Sequence, residues 1–238
     1  MATTARDLAR SLADLVLPVR CAGCGLRDVP LCDACRWWLE RPARQVVPTP
    51  CPPDMPVCFA VAPYAGPPRQ TLLAYKERGR HRLAKPLGGA LTRAVGQAGG
   101  GRPVLLVPVP STAAAVRARG GDHLRPLVEQ VLRRVDGRLA EVLTARPRPD
   151  SAGLSSAARA ANRVGAFGFR TKGRRLLSSA VRDGYAVVIV DDLVTTGATL
   201  AEINRVLTAE GAPPSHSAVI AATVKRSAHI RSPGRSRR

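Results

Sequence analysis

Aromatic residues are scarce in this chain. Phe, Tyr and Trp make up 3% of its 238 residues, whereas hydrophobic residues as a whole make up 45%. The core must therefore be built from aliphatic side chains, and we do not expect an extended aromatic platform of the kind on which single-strand binders stack bases. Trp37 and Trp38 stand side by side near the N-terminus, and we interpret this pair as local core.

Long apolar runs are also missing. No stretch approaches the roughly 18 apolar residues that a membrane-spanning helix needs. Near the N-terminus, Leu8, Leu12, Leu15 and Val16 are interrupted by charged residues, which indicates a short amphipathic helix rather than a secretory signal. We therefore expect no membrane span and a cytoplasmic location.

Several nucleotide-binding and catalytic signatures are absent from the sequence. There is no G-x-x-x-x-G-K-[ST], and no G-x-G-x-x-G follows a predicted strand, so P-loop ATPases and dinucleotide-binding enzymes are disfavoured. No Ser/His/Asp or Cys/His constellation is available for covalent catalysis. A catalytic role, if there is one, must come from positioning and electrostatics.

Acidic residues are few relative to basic ones. The chain has 37 Lys and Arg against 17 Asp and Glu, a formal charge of +20. A surface of this charge attracts polyanions, and single-stranded DNA is a candidate partner, although an Arg-rich composition can also be a genome-wide habit. Residues 225–238 contain six basic residues and no acid, which predicts a disordered basic tail over residues 227–238.

The most informative segment is VVIVDDLVTTGATL at residues 187–200. Its four β-branched residues predict a strand buried on both faces, and the residues after it predict a turn that opens into a helix. Such a turn aims unpaired backbone N–H groups and the positive end of the helix dipole at one point, which suits a phosphate. Gly197 allows the backbone to approach the ligand closely.

The two acids that follow the strand indicate what else the site holds. Asp191 and Asp192 would repel a phosphate, but they can accept hydrogen bonds from sugar hydroxyls or hold a divalent cation. A ribose 5-phosphate fits both halves of the segment. The simpler interpretation, a polar turn capped by Thr, leaves two adjacent acids without a task.

Four of the six cysteines form the pattern C-x2-C-x7-C-x2-C: Cys21, Cys24, Cys32 and Cys35. Two knuckles of this spacing can surround one ion, which predicts a structural zinc site without an open position for catalysis. Disulfides are disfavoured in a reducing cytoplasm, and an iron–sulfur cluster is a further alternative. We interpret Cys51 and Cys58 as free thiols rather than a second metal site.

Strand-like and helix-like segments alternate after the cysteines. Strands are predicted over residues 57–64, 104–109, 139–143, 185–190 and 217–224, and helices over residues 68–78, 81–97, 123–135 and from residue 200. Six prolines over residues 42–56 indicate a linker, residues 113–121 are small and basic, and residues 144–173 form a long polar segment. The alternation predicts a parallel α/β sheet flanked by helices, with ligands beyond the carboxyl ends of its strands.

A ligand that carries a pyrophosphate needs cations opposite the 5-phosphate site. Lys76, Arg117 and Arg119 are the candidates, together with Mg²⁺ bridging pyrophosphate oxygens. A lone Lys or Arg is usually a solvated surface residue, but Arg117 and Arg119 follow directly after a predicted buried strand. That position favours a role at the site.

The segment at residues 187–200 resembles the phosphoribosyl-pyrophosphate (PRPP) motif of type I phosphoribosyltransferases. The resemblance implies that Asp191 and Asp192 are the catalytic acids that hold the ribose hydroxyls. It also implies that a five-residue loop wraps the 5-phosphate: Thr195, Thr196, Gly197, Ala198 and Thr199. The implied fold is a type I phosphoribosyltransferase-like domain over residues 57–226, preceded by a small four-cysteine zinc module with a helix and linker over residues 1–50.

Nearly the whole chain is similar to the ComF family of phosphoribosyltransferase-like proteins, known from bacterial competence and DNA uptake. The similarity is carried by YKERGRHRLAKPLG, LLVPVP, the R-x-RG loop, LSSAARAANRVGAF and the PRPP motif, in that order. It implies that Lys76, Arg117 and Arg119 face the pyrophosphate and that residues 159–167, with Asn162 and Arg163, belong to the loop region over the site. The chain departs from the family at residues 121–123, Gly-Asp-His where relatives often have F-N-Q, and at residues 151–153, which lack the usual Gln.

Two functions follow from these resemblances. In the first, an acceptor displaces pyrophosphate from C1 of Mg²⁺-bound PRPP through an oxocarbenium-like state, and the protein contributes positioning and charge. In the second, the protein is a non-catalytic PRPP sensor that binds single-stranded DNA during DNA uptake. The ComF resemblance implies a helicase-like competence ATPase and a DNA-processing protein as partners.

Overall fold

The computed structural model describes residues 19–146 and 165–223. Its helices are α1 (Asp33–Glu40), α2 (Gly66–Glu77), α3 (Ala84–Gly99), α4 (Ala113–Arg119), α5 (Arg125–Leu132), α6 (Arg174–Arg182) and α7 (Ala198–Ala209). Its strands are β1 (Arg44–Val46), β2 (Cys58–Pro63), β3 (Val104–Pro108), β4 (Gly137–Leu139), β5 (Leu143–Ala145), β6 (Phe167–Phe169), β7 (Ala186–Val190), β8 (Leu193–Val194) and β9 (His216–Ala222). The expected N-terminal helix, residues 159–164 and the basic tail lie outside this range.

One sheet organises the molecule. Its strand order is β1-β2-β9-β7-β3-β4, and β8 pairs with the end of β9. Every pairing in it is parallel except that between β1 and β2. The predicted α/β class with a mostly parallel, helix-flanked sheet is confirmed.

The central strand β7 has the burial that its sequence predicts. All five of its residues are buried, because they alternate between two hydrophobic clusters. Val188 and Val190 belong to a cluster shared with α1, α2, α3 and α5. Val187 and Ile189 belong to a second cluster, shared with α6 and α7. The largest fully buried side chains are all Leu or Ile, as the low aromatic content predicts.

The structure differs from the sequence-based description of the elements in three places. Residues 42–56 are more than a linker, because Arg44–Val46 pairs with β2 and extends the sheet. The strand expected at residues 139–143 is divided, since the chain leaves β3 after Leu139 and β5 pairs instead with β6. The small basic segment at residues 113–121 forms α4, whose first turn is capped by Thr112.

The cysteine segment packs directly onto this domain. Cys21, Leu31, Cys35 and Leu39 are buried in the same cluster as α3 and β7. In the part of the chain that the structure describes, no helix has the length and apolar character needed to cross a membrane.

Candidate functional site

The candidate site lies at the carboxyl edge of the sheet, where β7 ends. Pro108 of β3 is the register partner of Val190, and the Val109 N–H donates to the Val190 carbonyl at 2.9 Å. On the other side, the Asp191 N–H donates to the Ala218 carbonyl at 3.1 Å. Asp191 therefore leaves the sheet between the ends of β3 and β9, at the edge where such sheets bind ligands.

Asp192 is buried and ion-paired. Its residue is 3% exposed, and its Oδ2 lies 2.8 Å from the Nζ of Lys76 near the end of α2. Burial by itself raises the pKa of Asp192, but His123 and the positive charge of Lys76 outweigh burial and hold the pKa well below its usual range. The structure thus brings together two of the predicted site residues, Lys76 on α2 and Asp192 after β7, which are far apart in the sequence.

Asp191 has the opposite electrostatic environment. It is half-buried, and its Oδ1 accepts the backbone N–H of Asp192 at 2.8 Å. Burial and the negative charge of Asp192 raise its pKa well above the usual value. A carboxylate that is costly to ionise when the site is empty is suited to accept hydrogen bonds from ligand hydroxyls.

The loop after β8 contains the residues predicted to bind the 5-phosphate, and we refer to it as the cradle loop. It runs through Thr195 and Thr196 to Gly197, where α7 begins without a side-chain cap. The first N–H groups of an α-helix have no partner within the helix, so this end of α7 can receive an anion. The loop is tied to the end of β9 because the Thr223 hydroxyl donates to the Thr195 carbonyl at 2.9 Å.

Gly197 is required at this turn for two reasons. Its φ of +72° lies in the left-handed region that favours glycine. A Cβ at this position would also collide with the Sδ of Met55, and Pro48 would lie 3.2 Å from it. The proline-rich segment therefore packs against the cradle loop, and Asn204 of α7 holds it there by donating to the Asp54 carbonyl at 2.9 Å.

Arg117 and Arg119 follow β3 on α4. Both side chains are solvent-accessible, and neither forms an ion pair with an acid of the described residues. They lie on the connection that leaves the same sheet edge as Asp191. Unlike Lys76, they are free to meet an incoming anion.

The four predicted metal-binding cysteines are brought together. All four Sγ atoms lie within 4.8 Å of one another, and two of the separations, Cys21–Cys32 and Cys24–Cys32, are 3.6 Å. A tetrahedral ion with bonds of about 2.3 Å places sulfurs roughly 3.8 Å apart. The cluster has the geometry of a structural metal site.

The four thiols differ in their electrostatic environment: backbone donors favour the thiolate form of Cys21, whereas burial raises the pKa of Cys32 and Cys35. The Cys32 N–H donates to the Cys21 Sγ at 3.4 Å. Although burial opposes it, backbone N–H donation from Cys32, Cys24 and Gly23 lowers the pKa of Cys21 to about 6. A Cβ on Gly23 would lie 2.6 Å from the Cys35 Sγ, so a larger residue there would displace a ligand.

The tryptophan pair is not core, contrary to the sequence-based interpretation. Trp37 is 39% exposed, and neither Trp37 nor Trp38 belongs to the two hydrophobic clusters. Their rings meet edge to face with centroids 5.1 Å apart. The Arg41 guanidinium lies 4.7 Å from the Trp37 ring and 5.6 Å from the Trp38 ring. The buried residues of α1 are Cys35 and Leu39. The two tryptophan rings therefore do not lie on the face of α1 that packs into the core.

Sequence reasoning missed three residues that shape the site. His123 lies beside Asp192, the Tyr75 hydroxyl donates to the His123 carbonyl at 2.7 Å, and Met55 packs on Gly197. The sequence did offer one indication of His123, because residues 121–123 are Gly-Asp-His where ComF relatives often have F-N-Q. No sequence signal pointed to Met55, because its contact depends on how the proline-rich segment folds back.

Comparison with protein families agrees with this geometry. Residues 118–233 match the family described as phosphoribosyl transferase domain, a range that includes β7, both acids, the loop and α7. A comparison with curated proteins gave no match. The molecule is thus a mixed α/β protein with a mostly parallel sheet and a four-cysteine cluster, and its residues 118–233 are similar to the phosphoribosyl transferase domain family.

Proposed function

We propose that the protein binds PRPP at the carboxyl end of β7. The observation that carries the proposal is that one connection at the carboxyl end of β7 holds both Asp191 and, after the short strand β8, the uncapped, glycine-initiated start of α7. The loop residues 195–199 would receive the 5-phosphate, and Asp191, with Asp192 behind it, would hold the ribose hydroxyls. Arg117 and Arg119 would meet the pyrophosphate, and so would Lys76 once it is released from Asp192.

Mg²⁺ fits this arrangement as a companion of the ligand. Among the described residues, the one cluster of three or more His, Cys, Asp or Glu able to hold an ion is the cysteine cluster. Mg²⁺ commonly binds through substrate phosphates with few protein ligands, so it would be held mainly by pyrophosphate oxygens and would neutralise the leaving group. For transfer, the residues named above would orient C1 toward an acceptor and stabilise the departing pyrophosphate.

Isothermal titration with PRPP and Mg²⁺ tests this proposal. We expect binding by the wild type and a loss of about tenfold or more for Asp191→Asn, because a charge-assisted hydrogen bond to the ligand is removed. Glu141→Gln, which changes an exposed acid outside the site, is the matched control. Absence of PRPP binding by the wild type would refute the proposal, and pyrophosphate release in a screen of bases would separate an enzyme from a sensor.

The cysteine cluster is proposed to hold structural zinc. Four sulfur ligands around one point favour zinc over Mg²⁺ or Ca²⁺. Metal analysis of freshly purified, reduced protein should give about one zinc per chain. A zinc content near zero would contradict the assignment, and a visible absorption band with bound iron would favour an iron–sulfur cluster instead.

A second candidate function is single-stranded DNA binding, and the tryptophan pair, with Trp37 exposed and Trp38 half-buried, favours it. Trp37, Trp38 and Arg41 form an aromatic and cationic patch on the cysteine segment, and Arg36 and Arg44 flank it. Bases stack on such rings, and the net charge of +20 attracts the phosphate backbone. With this activity, the ComF resemblance would extend to a role in DNA uptake with the ATPase and DNA-processing partners named above.

Oligothymidylate binding tests the second candidate. The patch contains both tryptophans of the chain, so stacking should quench the intrinsic fluorescence directly. We expect Trp37→Ala to weaken binding by about tenfold and Val181→Ala, a residue of equal 39% exposure on α6, to leave it unchanged. Equal affinities of the two variants at low salt would exclude a stacking platform.

A further inference from the structure

His123 is the buried polar side chain that the Lys76–Asp192 ion pair leaves unexplained. Its side chain is 10% exposed. Both ring nitrogens are shielded from solvent and lack a hydrogen-bond partner among residues 19–146 and 165–223. Buried polar side-chain atoms in folded proteins nearly always have partners, so the arrangement at His123 calls for a reason.

Two donors point at the same carboxylate oxygen. The Lys76 Nζ lies 2.8 Å from the Oδ2 of Asp192, and the His123 Nε2 lies 3.8 Å from that atom. Lys76 is in contact, whereas the imidazole is roughly 1 Å too far for a hydrogen bond. Among the described residues the Asp192 Oδ2 has no hydrogen-bond partner, so Lys76 compensates its charge at ion-pair distance without donating a hydrogen bond to it. His123 therefore stands next to a buried acceptor whose charge is paired with Lys76 and whose hydrogen-bonding capacity is unused.

The backbone around His123 is fixed, so a contact with Asp192 needs only side-chain adjustment. The Tyr75 hydroxyl donates to the His123 carbonyl at 2.7 Å. The next residue, Leu124, is held as well, because its N–H donates to the Asp122 Oδ1 at 2.9 Å. A small rotation of the ring or of the Asp192 carboxylate closes the remaining gap.

Lys76 cannot neutralise Asp192 and bind a pyrophosphate at the same time. Its side chain is 21% exposed, so its ammonium group can turn from the carboxylate toward the rim of the site. Turning away would leave Asp192 buried and charged without a cation, which is strongly unfavourable. Recruitment of Lys76 by a ligand needs a replacement partner for Asp192.

We propose that His123 is this replacement donor. When Lys76 moves to the pyrophosphate of the ligand, the Nε2–H of His123 donates to the Asp192 Oδ2 that Lys76 has left. The inference rests on the proposed PRPP site, and it makes His123 a positioning residue that acts through Lys76.

Two ligands separate this role from packing. PRPP and ribose 5-phosphate share the ribose and the 5-phosphate, but only PRPP carries the pyrophosphate that recruits Lys76. His123→Gln retains a donor close to the position of Nε2. His123→Asn places its amide closer to Nδ1, and His123→Met fills the space without a donor.

The expected pattern in calorimetric titrations is specific to PRPP. His123→Asn and His123→Met should lose about tenfold in PRPP affinity and keep their ribose 5-phosphate affinity, while His123→Gln should stay within about twofold of wild type for both ligands. Lys76→Met should lose PRPP affinity to a similar degree. The double variant Lys76→Met/His123→Asn should be no weaker than Lys76→Met alone, because His123 acts through Lys76.

Other outcomes overturn the inference. Equal losses on both ligands, or additive losses in the double variant, would mean that His123 only packs. Unchanged PRPP affinity in His123→Met, which has no donor, or in His123→Asn, whose donor is displaced from the position of Nε2, would mean that Asp192 needs no replacement donor. Thermal melts identify the variants that fold. If wild type binds neither ligand, the proposed PRPP site itself fails, a result distinct from binding that is insensitive to His123.

Discussion

At the scale of single residues, the two adjacent aspartates have opposite energetic roles. Asp191 is costly to ionise because burial and Asp192 oppose its charge, whereas Asp192 is stabilised as an anion by His123 and Lys76. The unfavourable ionisation of Asp191 therefore lowers the free energy of unfolding, and contacts with a bound ligand can offset this loss. Asp192 contributes stability and orients the cation beside the site.

The isosteric variants Asp191→Asn and Asp192→Asn should therefore change stability in opposite directions. At neutral pH, Asp191→Asn should raise the free energy of unfolding by about 1 kcal/mol, because a disfavoured charge is removed. Asp192→Asn should lower it by about 1–2 kcal/mol, a discounted value because Lys76 is partly exposed. Urea denaturation measures both, and changes of the same sign would contradict this assignment of roles.

The pH dependence of stability follows from the raised pKa of Asp191. A carboxyl with a raised folded-state pKa binds protons more tightly in the folded than in the unfolded chain, so its contribution to stability is lost as pH rises through that pKa. The difference in free energy of unfolding between Asp191→Asn and wild type should therefore become smaller as pH falls through the raised pKa of Asp191. A constant difference across thermal melts from neutral to acidic pH would show that Asp191 ionises normally.

At the scale of elements, the cradle loop depends on the proline-rich segment packed against it. Gly197→Ala should cost about 1–2 kcal/mol for the left-handed backbone and more for displacing Met55. In a Met55→Ala background the collision with the Met55 side chain is removed, while the backbone cost and the contact with Pro48 remain. The same substitution should therefore be less destabilising there by about 0.5 kcal/mol or more. Equal costs in both backgrounds, measured by urea denaturation, would show that Met55 does not press on the loop.

At the scale of the whole molecule, the cysteine segment and the sheet share one hydrophobic cluster. Cys24→Ser should remove one metal ligand and lower the melting temperature of the entire protein by about 10 °C, in one cooperative transition. Cys51→Ser, at an exposed thiol outside the cluster, is the matched control and should leave it unchanged. Two separated calorimetric transitions would instead indicate an independent module.

Much of the fold and part of the site could be predicted because their signals are local. The β-branched run at residues 187–190 must be buried on both faces, and the cysteine spacing brings four thiols together over a short stretch of chain. The edge strand Arg44–Val46 and the divided segment at residues 139–143 were not predictable, because pairing with β2 and with β6 decides them. The tryptophan pair was misjudged because hydrophobicity indicates burial only when another element covers that face.

By itself, the sequence determined the order of buried strand, two acids, glycine-containing turn and helix, and it determined the four-cysteine cluster, since both depend on residue type and short spacing. Only the tertiary structure decided how the acids are used. Lys76, His123 and Asp192 come from separate elements, and their meeting depends on the packing of α2 and of the α4–α5 connection at one sheet edge. That packing leaves Asp191 half-buried and without an ion-pair partner among the described residues, whereas it holds Asp192 in an ion pair with Lys76. The sequence alone does not distinguish these two adjacent aspartates.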